Sequence, residues 1–182
     1  MTCVIGYLNG DMAYMGGDSA VVQEWYLSVR NEAKVFRRGS ILMGGTGSIR
    51  MSQLLRYDLK IPTAENADIM RWMVTGFVPA VRKCLKDGGC LQTIDGVESV
   101  DGSFLVAAYG RLFEVCCDFQ VADAVGPYAA VGCGRELAMG AMAAMAASHT
   151  KPRPRILNAL KIAERFSAGV RGPFRILCAK QR

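Results

Sequence analysis

Asn9-Gly10, set between two apolar runs, does most to restrict how this chain can fold. Asparagine and glycine tolerate the positive φ angles of a two-residue turn. The flanking runs TCVIGYL and DMAYMGG are therefore predicted to pair as antiparallel strands. With Asn9 and Gly10 as the turn residues, Leu8 faces Asp11, Thr2 faces Gly17 and Met1 faces Asp18. The first hairpin thus brings a carboxylate beside the start of the chain.

The rest of the chain reads as a few more hairpins and four helical stretches. Residues 19–33 carry no clear period and read as an excursion. KVFR and SILMGG form a second hairpin turning at Arg38-Gly39, which sets Lys34 opposite Met43. GTGSIRMSQLLRY then leads into a helix that Pro62 closes. Met70, Met73, Phe77, Val81 and Leu85 recur at helical spacing between Asp68 and Leu85, a buried stripe that Gly88-Gly89 ends. SFLVAAY and LFEVCCDF flank a third turn at Gly110-Arg111, and PYAAVG is one more strand. GRELAMGAMAAMAAS and RILNALKIAERFSAG are helices, the second with Ile156, Leu160, Ala163 and Ser167 on one face, and PFRILCA is a closing strand. Strands and helices that segregate rather than alternate fit stacked antiparallel sheets with helices outside them. No repeat or linker interrupts the pattern, so one domain over residues 1–182 is expected.

Composition removes several alternatives. With 51% hydrophobic and 21% charged residues the chain is expected to fold. No stretch approaches the roughly 20 apolar residues of a bilayer span. The opening residues lack the pattern of an export signal, so a cytoplasmic protein without a membrane partner is expected. Seven cysteines, odd in number and without Cys-x-x-Cys or zinc-finger spacing to the lone His149, read as reduced thiols. No metal or cofactor is expected. The net charge of +6 is scattered, and its one cluster, Lys151 to Arg155, has no interleaved aromatic residue, so nucleic acid is not the expected partner. His149 has no acidic neighbour for a serine–histidine triad.

The site chemistry centres on Thr2. If Met1 is removed, Thr2 carries a hydroxyl and a free α-amine on one residue, a nucleophile with its own base. The reference pKa of such an amine is about 8. Lys34 would supply positive charge that lowers it, and Asp18 would keep Lys34 charged and oriented. Gly47, in the glycine-rich run before the helix, is a candidate oxyanion donor. Cys3 alternates to the opposite face from Thr2 and is assigned to the core.

Together, "GGDSA" with Asp18, "EAKVF" with Lys34, "MGGTGS" with Gly47 and a chain opening on Thr2 resemble the catalytic β-type subunits of the proteasome. The bacterial proteasome-like protease, of the same Ntn-hydrolase superfamily, shows the same likeness. "YAAVGCGRELAMGAM" and "ALKIAERFSAG" extend the resemblance over nearly the whole chain, which looks most like short proteasome-like proteins of phages and some bacteria. The resemblance implies a four-layer αββα sandwich and a threonine-type endopeptidase working through an acyl-enzyme on polypeptide substrates. It also implies a closed homo-oligomeric ring, and it leaves an ATP-dependent unfoldase open as a partner. By the same resemblance Cys133 stands where the family has a serine beside the amine. Gly45, Thr46 and Val21 fall at the substrate pocket, which the missing side chain of Gly45 would make roomy. A late aspartate of the family has no counterpart around Arg165-Phe166-Ser167, although Ser167 is a candidate partner. An inactive subunit of the same fold and an amidase acting on a small molecule remain alternatives.

Overall fold

The computed structural model describes residues 1–64 and 68–181. Its elements are β1 (Val4–Asn9), β2 (Met12–Gly17), β3 (Ala20–Gln23), β4 (Tyr26–Val29), β5 (Val35–Arg38), β6 (Ile41–Gly45) and α1 (Ile49–Tyr57). Then come α2 (Ile69–Trp72), a π-helical turn (Met73–Phe77), α3 (Val78–Asp87), β7 (Leu91–Ile94), β8 (Val97–Val100), β9 (Phe104–Ala108) and β10 (Arg111–Val115). The chain finishes with β11 (Val121–Asp123), β12 (Tyr128–Val131), α4 (Arg135–Ala144), α5 (Pro152–Phe166) and β13 (Arg175–Lys180).

Two antiparallel sheets, ordered β12-β1-β2-β13 and β11-β10-β9-β6-β5, lie face to face. Strand alternation explains why both faces of each sheet are apolar. Val4, Leu42, Leu105 and Leu112 fill the layer between the sheets, while their chain neighbours point outward. Ile5 meets Met142, Ile156 and Leu160 of α4 and α5. Met43, Val106 and Phe113 meet Met51, Leu55, Phe77, Val81 and Leu85 of the other helical layer. This is the expected αββα sandwich.

The hairpin registers differ from expectation. Val4 lies opposite Gly17, Asn9 opposite Met12, Val35 opposite Gly44 and Arg38 opposite Ile41. The turn residues are therefore Gly10-Asp11 and Gly39-Ser40. In each pair only the glycine has positive φ, 59° and 62°, the type II′ pattern with glycine first. The third turn is Tyr109-Gly110, with both residues at positive φ (53° and 74°), as type I′ requires.

Residues 19–33 are not featureless: β3 and β4 form a separate hairpin. Trp25 and Tyr26 at its tip are exposed, and its strands bury little on either face, so no alternation is there to read. The π-helical turn interrupts the expected 68–85 helix just before Pro79, where Val78 N–H donates to Met73 O. Proline offers no N–H and its ring crowds the carbonyl four residues back, and the wider turn accommodates both.

Candidate active site

One edge of the sandwich gathers the chain start, the segment after β2 and the residue before β5. Asp18 is the first residue beyond β2, and its N–H donates to Cys3 O at 3.2 Å. Its carboxylate is fully buried. Oδ1 accepts from Cys3 N at 2.9 Å, and Oδ2 from Ala20 N at 2.9 Å and Arg171 N at 3.4 Å. A buried carboxylate persists only when paired and hydrogen-bonded, and Lys34 completes the set, its Nζ 3.0 and 3.1 Å from the two oxygens.

Lys34 Nζ also donates to Thr2 Oγ1 at 3.0 Å and to Met1 O at 3.1 Å. Its three protons thus face the carboxylate, the threonine hydroxyl and the carbonyl before it. Burial pulls the lysine below its ordinary pKa, while Asp18 opposes the shift through its charge and hydrogen bonds.

Thr2 is buried, and its hydroxyl donates to Met1 O. Thr2 N–H donates to Cys133 Sγ at 3.3 Å, and the thiol faces Thr2 O at 3.4 Å. Ser167 Oγ lies 3.7 Å from the same sulfur. Cys3, by contrast, points into the helix-side core, where burial pushes its thiol up to about 12.

Gly47 lies across the cleft from β3, between β6 and the Ser48 cap of α1. Its φ is +75°, and a Cβ would stand 2.3 Å from Asp101 O, so only glycine fits there. Among the described residues its N–H donates to no protein acceptor.

No protein-family model and no curated protein matches the sequence. Solved structures do. The structure of BPH, a bacterial proteasome homologue from Thiobacillus denitrificans, in complex with epoxomicin superposes with a TM-score of 0.82 at 20% identity, covering 100% of both chains. BPH without that ligand gives 0.83 at 19% identity, over 100% of this chain and 99% of the other. Eukaryotic HslV from Trypanosoma brucei gives 0.72 at 16% identity, over 99% and 100%. The fold is the proteasome-like αββα fold of these structures.

Within this proteasome-like fold, Thr2, Asp18, Lys34 and Cys133 meet at one point, and Val21, Gly45 and Gly47 line the adjoining cleft. Two expectations need correction. Thr46 does not line the cleft: alternation turns its side chain away, where Oγ1 donates to Ser103 O at 3.2 Å and accepts from Ser103 N at 3.3 Å. Nor does Gly45 leave room beside it, since a Cβ there would stand 2.7 Å from Ser52 Oγ of α1. The sequence reading also passes over Glu32, Ser52 and Arg56, which line the cleft, and over the Arg171 amide on Asp18. Their contacts are long-range and leave no local motif. Among the described residues no helix is long and apolar enough to cross a membrane, and no group of three His, Cys, Asp or Glu side chains is placed to hold a metal ion.

Proposed function

We propose that the chain is a threonine-type endopeptidase whose nucleophile is Thr2, exposed by cleavage of the Met1–Thr2 bond. The observation that carries this reading is Lys34 Nζ, held between Asp18 and Thr2 Oγ1 at 3.0 Å from each. While Met1 is attached, Thr2 N is an amide without useful basicity. Cleavage converts it to a primary amine, and the neighbouring ammonium lowers that amine's pKa and so raises its neutral fraction.

The neutral amine takes the Oγ1 proton as Oγ1 adds to a substrate carbonyl. The Gly47 N–H donates to the resulting oxyanion. The amine then returns the proton to the leaving nitrogen, the C–N bond breaks, and the acyl group stays on Oγ1 as an ester. Water, deprotonated by the same amine, hydrolyses the ester and restores Thr2. Cys133 Sγ, beside Thr2 N, orients the amine. The cleft between β3 and Gly47 suits an extended polypeptide, with Val21 and Gly45 as contacts.

A neighbour of the same fold binds epoxomicin, which supplies the test. After exposure of the purified chain to epoxomicin, intact-mass and peptide analysis should place one adduct on a chain beginning at Thr2. The Thr2→Ala variant should keep its fold and take up none. An adduct of equal yield on Thr2→Ala would sink the assignment. The reading also carries a single domain and a homo-oligomeric ring in the cytoplasm, and it leaves an ATP-dependent unfoldase open as a partner. Light scattering checks the ring, and a monomer at micromolar concentration would count against it.

A further inference from the structure

Helix α1 reaches across to the segment that carries Lys34, and it does so chiefly through one side chain. Arg56 Nη2 donates to Ala33 O and, at 3.2 Å, to Val35 O, the carbonyls on either side of Lys34. Its guanidinium lies 5.0 Å from the Phe36 ring centroid, and its Nη1 is 3.9 Å from Glu32. Gln53, one turn earlier on α1, holds the other oxygen of Glu32 at 3.2 Å. The traffic also runs backward: Arg38 of β5 donates to Leu55 O, Arg56 O and Leu59 O, fastening the C-terminal end of α1 to the same strand.

We propose that Arg56 is a positioning residue that fixes the height of Lys34 Nζ against Thr2 by gripping the two carbonyls that flank Lys34. The proposal rests on the peptidase reading above. A planar guanidinium suits the task because Nη2 bonds both carbonyls while Nη1 faces Glu32 and the plane lies against an aromatic ring, a combination that a lysine ammonium cannot make. The opposite end of α1 begins at Ile49, just beyond Gly47. A single rigid helix therefore relates the oxyanion donor to the lysine, with Arg56 as its fastening at the lysine end.

The test compares the full-length protein with Arg56→Met and Arg56→Lys, using epoxomicin as the probe and the exposed Arg82→Met as control. Two readouts are taken: the rate of Thr2 modification against pH, and the titration of Lys34 followed by NMR of labelled lysine. With the grip lost, Lys34 withdraws from Thr2. The acid limb of the modification profile should then move to higher pH, with a rate loss of at least tenfold near pH 7. Lys34, freed into solvent, should titrate closer to an ordinary lysine. Arg56→Lys should behave like Arg56→Met, because the shorter ammonium keeps the charge but cannot reach the two carbonyls, Glu32 and the Phe36 ring at once. Should Arg56→Met fail to fold, Arg56→Lys alone decides. An unmoved limb and an unmoved Lys34 titration in a folded variant would overturn the proposal, as would wild-type behaviour of Arg56→Lys. If wild type takes no adduct at any pH but the Lys34 titration still moves in the variants, the peptidase reading fails and the positioning role stands.

Discussion

Asp18 presents both carboxylate oxygens to Lys34 Nζ, at 3.0 and 3.1 Å, in a place where the acid has no exposed surface. Truncating the acid would strand a mostly buried ammonium and leave the Cys3 and Ala20 amides without their acceptor. Asp18→Ala should therefore cost about 3–5 kcal/mol, as loss of one partner of a buried pair does. Denaturant unfolding of the two proteins gives the number. A loss below 1 kcal/mol would mean that water replaces the carboxylate.

The lowered pKa of Lys34 has a definite sign in stability. Burial penalises its charged form in the folded state, so the unfolded chain holds the proton to higher pH. Between the lowered folded value and the ordinary 10.5, folding stability should rise with pH as that penalty is relieved. Below this window the penalty is present in full. The difference in unfolding free energy between wild type and Lys34→Met, followed up to pH 10.5, should show the rise. A flat difference would contradict it.

Gly47→Ala meets two obstacles, a φ of +75° and Asp101 O at 2.3 Å from the new Cβ. The expected penalty is about 1–3 kcal/mol for the backbone conformation alone. A thermal melt should show it, together with loss of Thr2 modification as the amide leaves the cleft.

Cys3 and Cys133 both lie beside Thr2 but should differ in reactivity. The Cys3 thiol is buried and held up at about 12, whereas Cys133 is exposed. Iodoacetamide at pH 8 should label Cys133 in the native protein and spare Cys3, because the thiolate is the reacting form. Peptide mapping decides; labelling of Cys3 at a similar rate would show that the site opens.

Leu42, in the layer between the sheets, has no exposed surface. Leu42→Ala should lower stability by about 2–5 kcal/mol, the range for a buried leucine that leaves a cavity.

Most of the architecture is legible because both faces of each sheet are apolar and the helices carry clear stripes. Registers are harder, since glycine serves either position of a two-residue turn. Moving the turn by one residue shifts each partner by two and leaves side-chain parity intact. That is why Asp18 and Lys34 still reach Thr2 even though Thr2 does not pair with Gly17. Thr46 fails for the opposite reason: it lies in the right run, but alternation turns it to the wrong side. The hairpin of β7 and β8 has an Asp95-Gly96 turn with both residues at positive φ, yet its short, partly exposed strands give little period. Arg56 carries no local signal at all, because its role exists only once α1 has folded back on β5.

The carboxylate under Thr2 takes amides from Cys3 and Ala20, near the beginning of the chain, and from Arg171, near its end. A nascent chain emerging from the ribosome therefore displays its threonine long before the last of these donors has been synthesised. Strand β13, which pairs with β2, arrives later still. The surroundings of Thr2 are therefore complete only once a segment 153 residues beyond Asp18 has docked against it, so this corner of the fold cannot be assembled from local sequence alone.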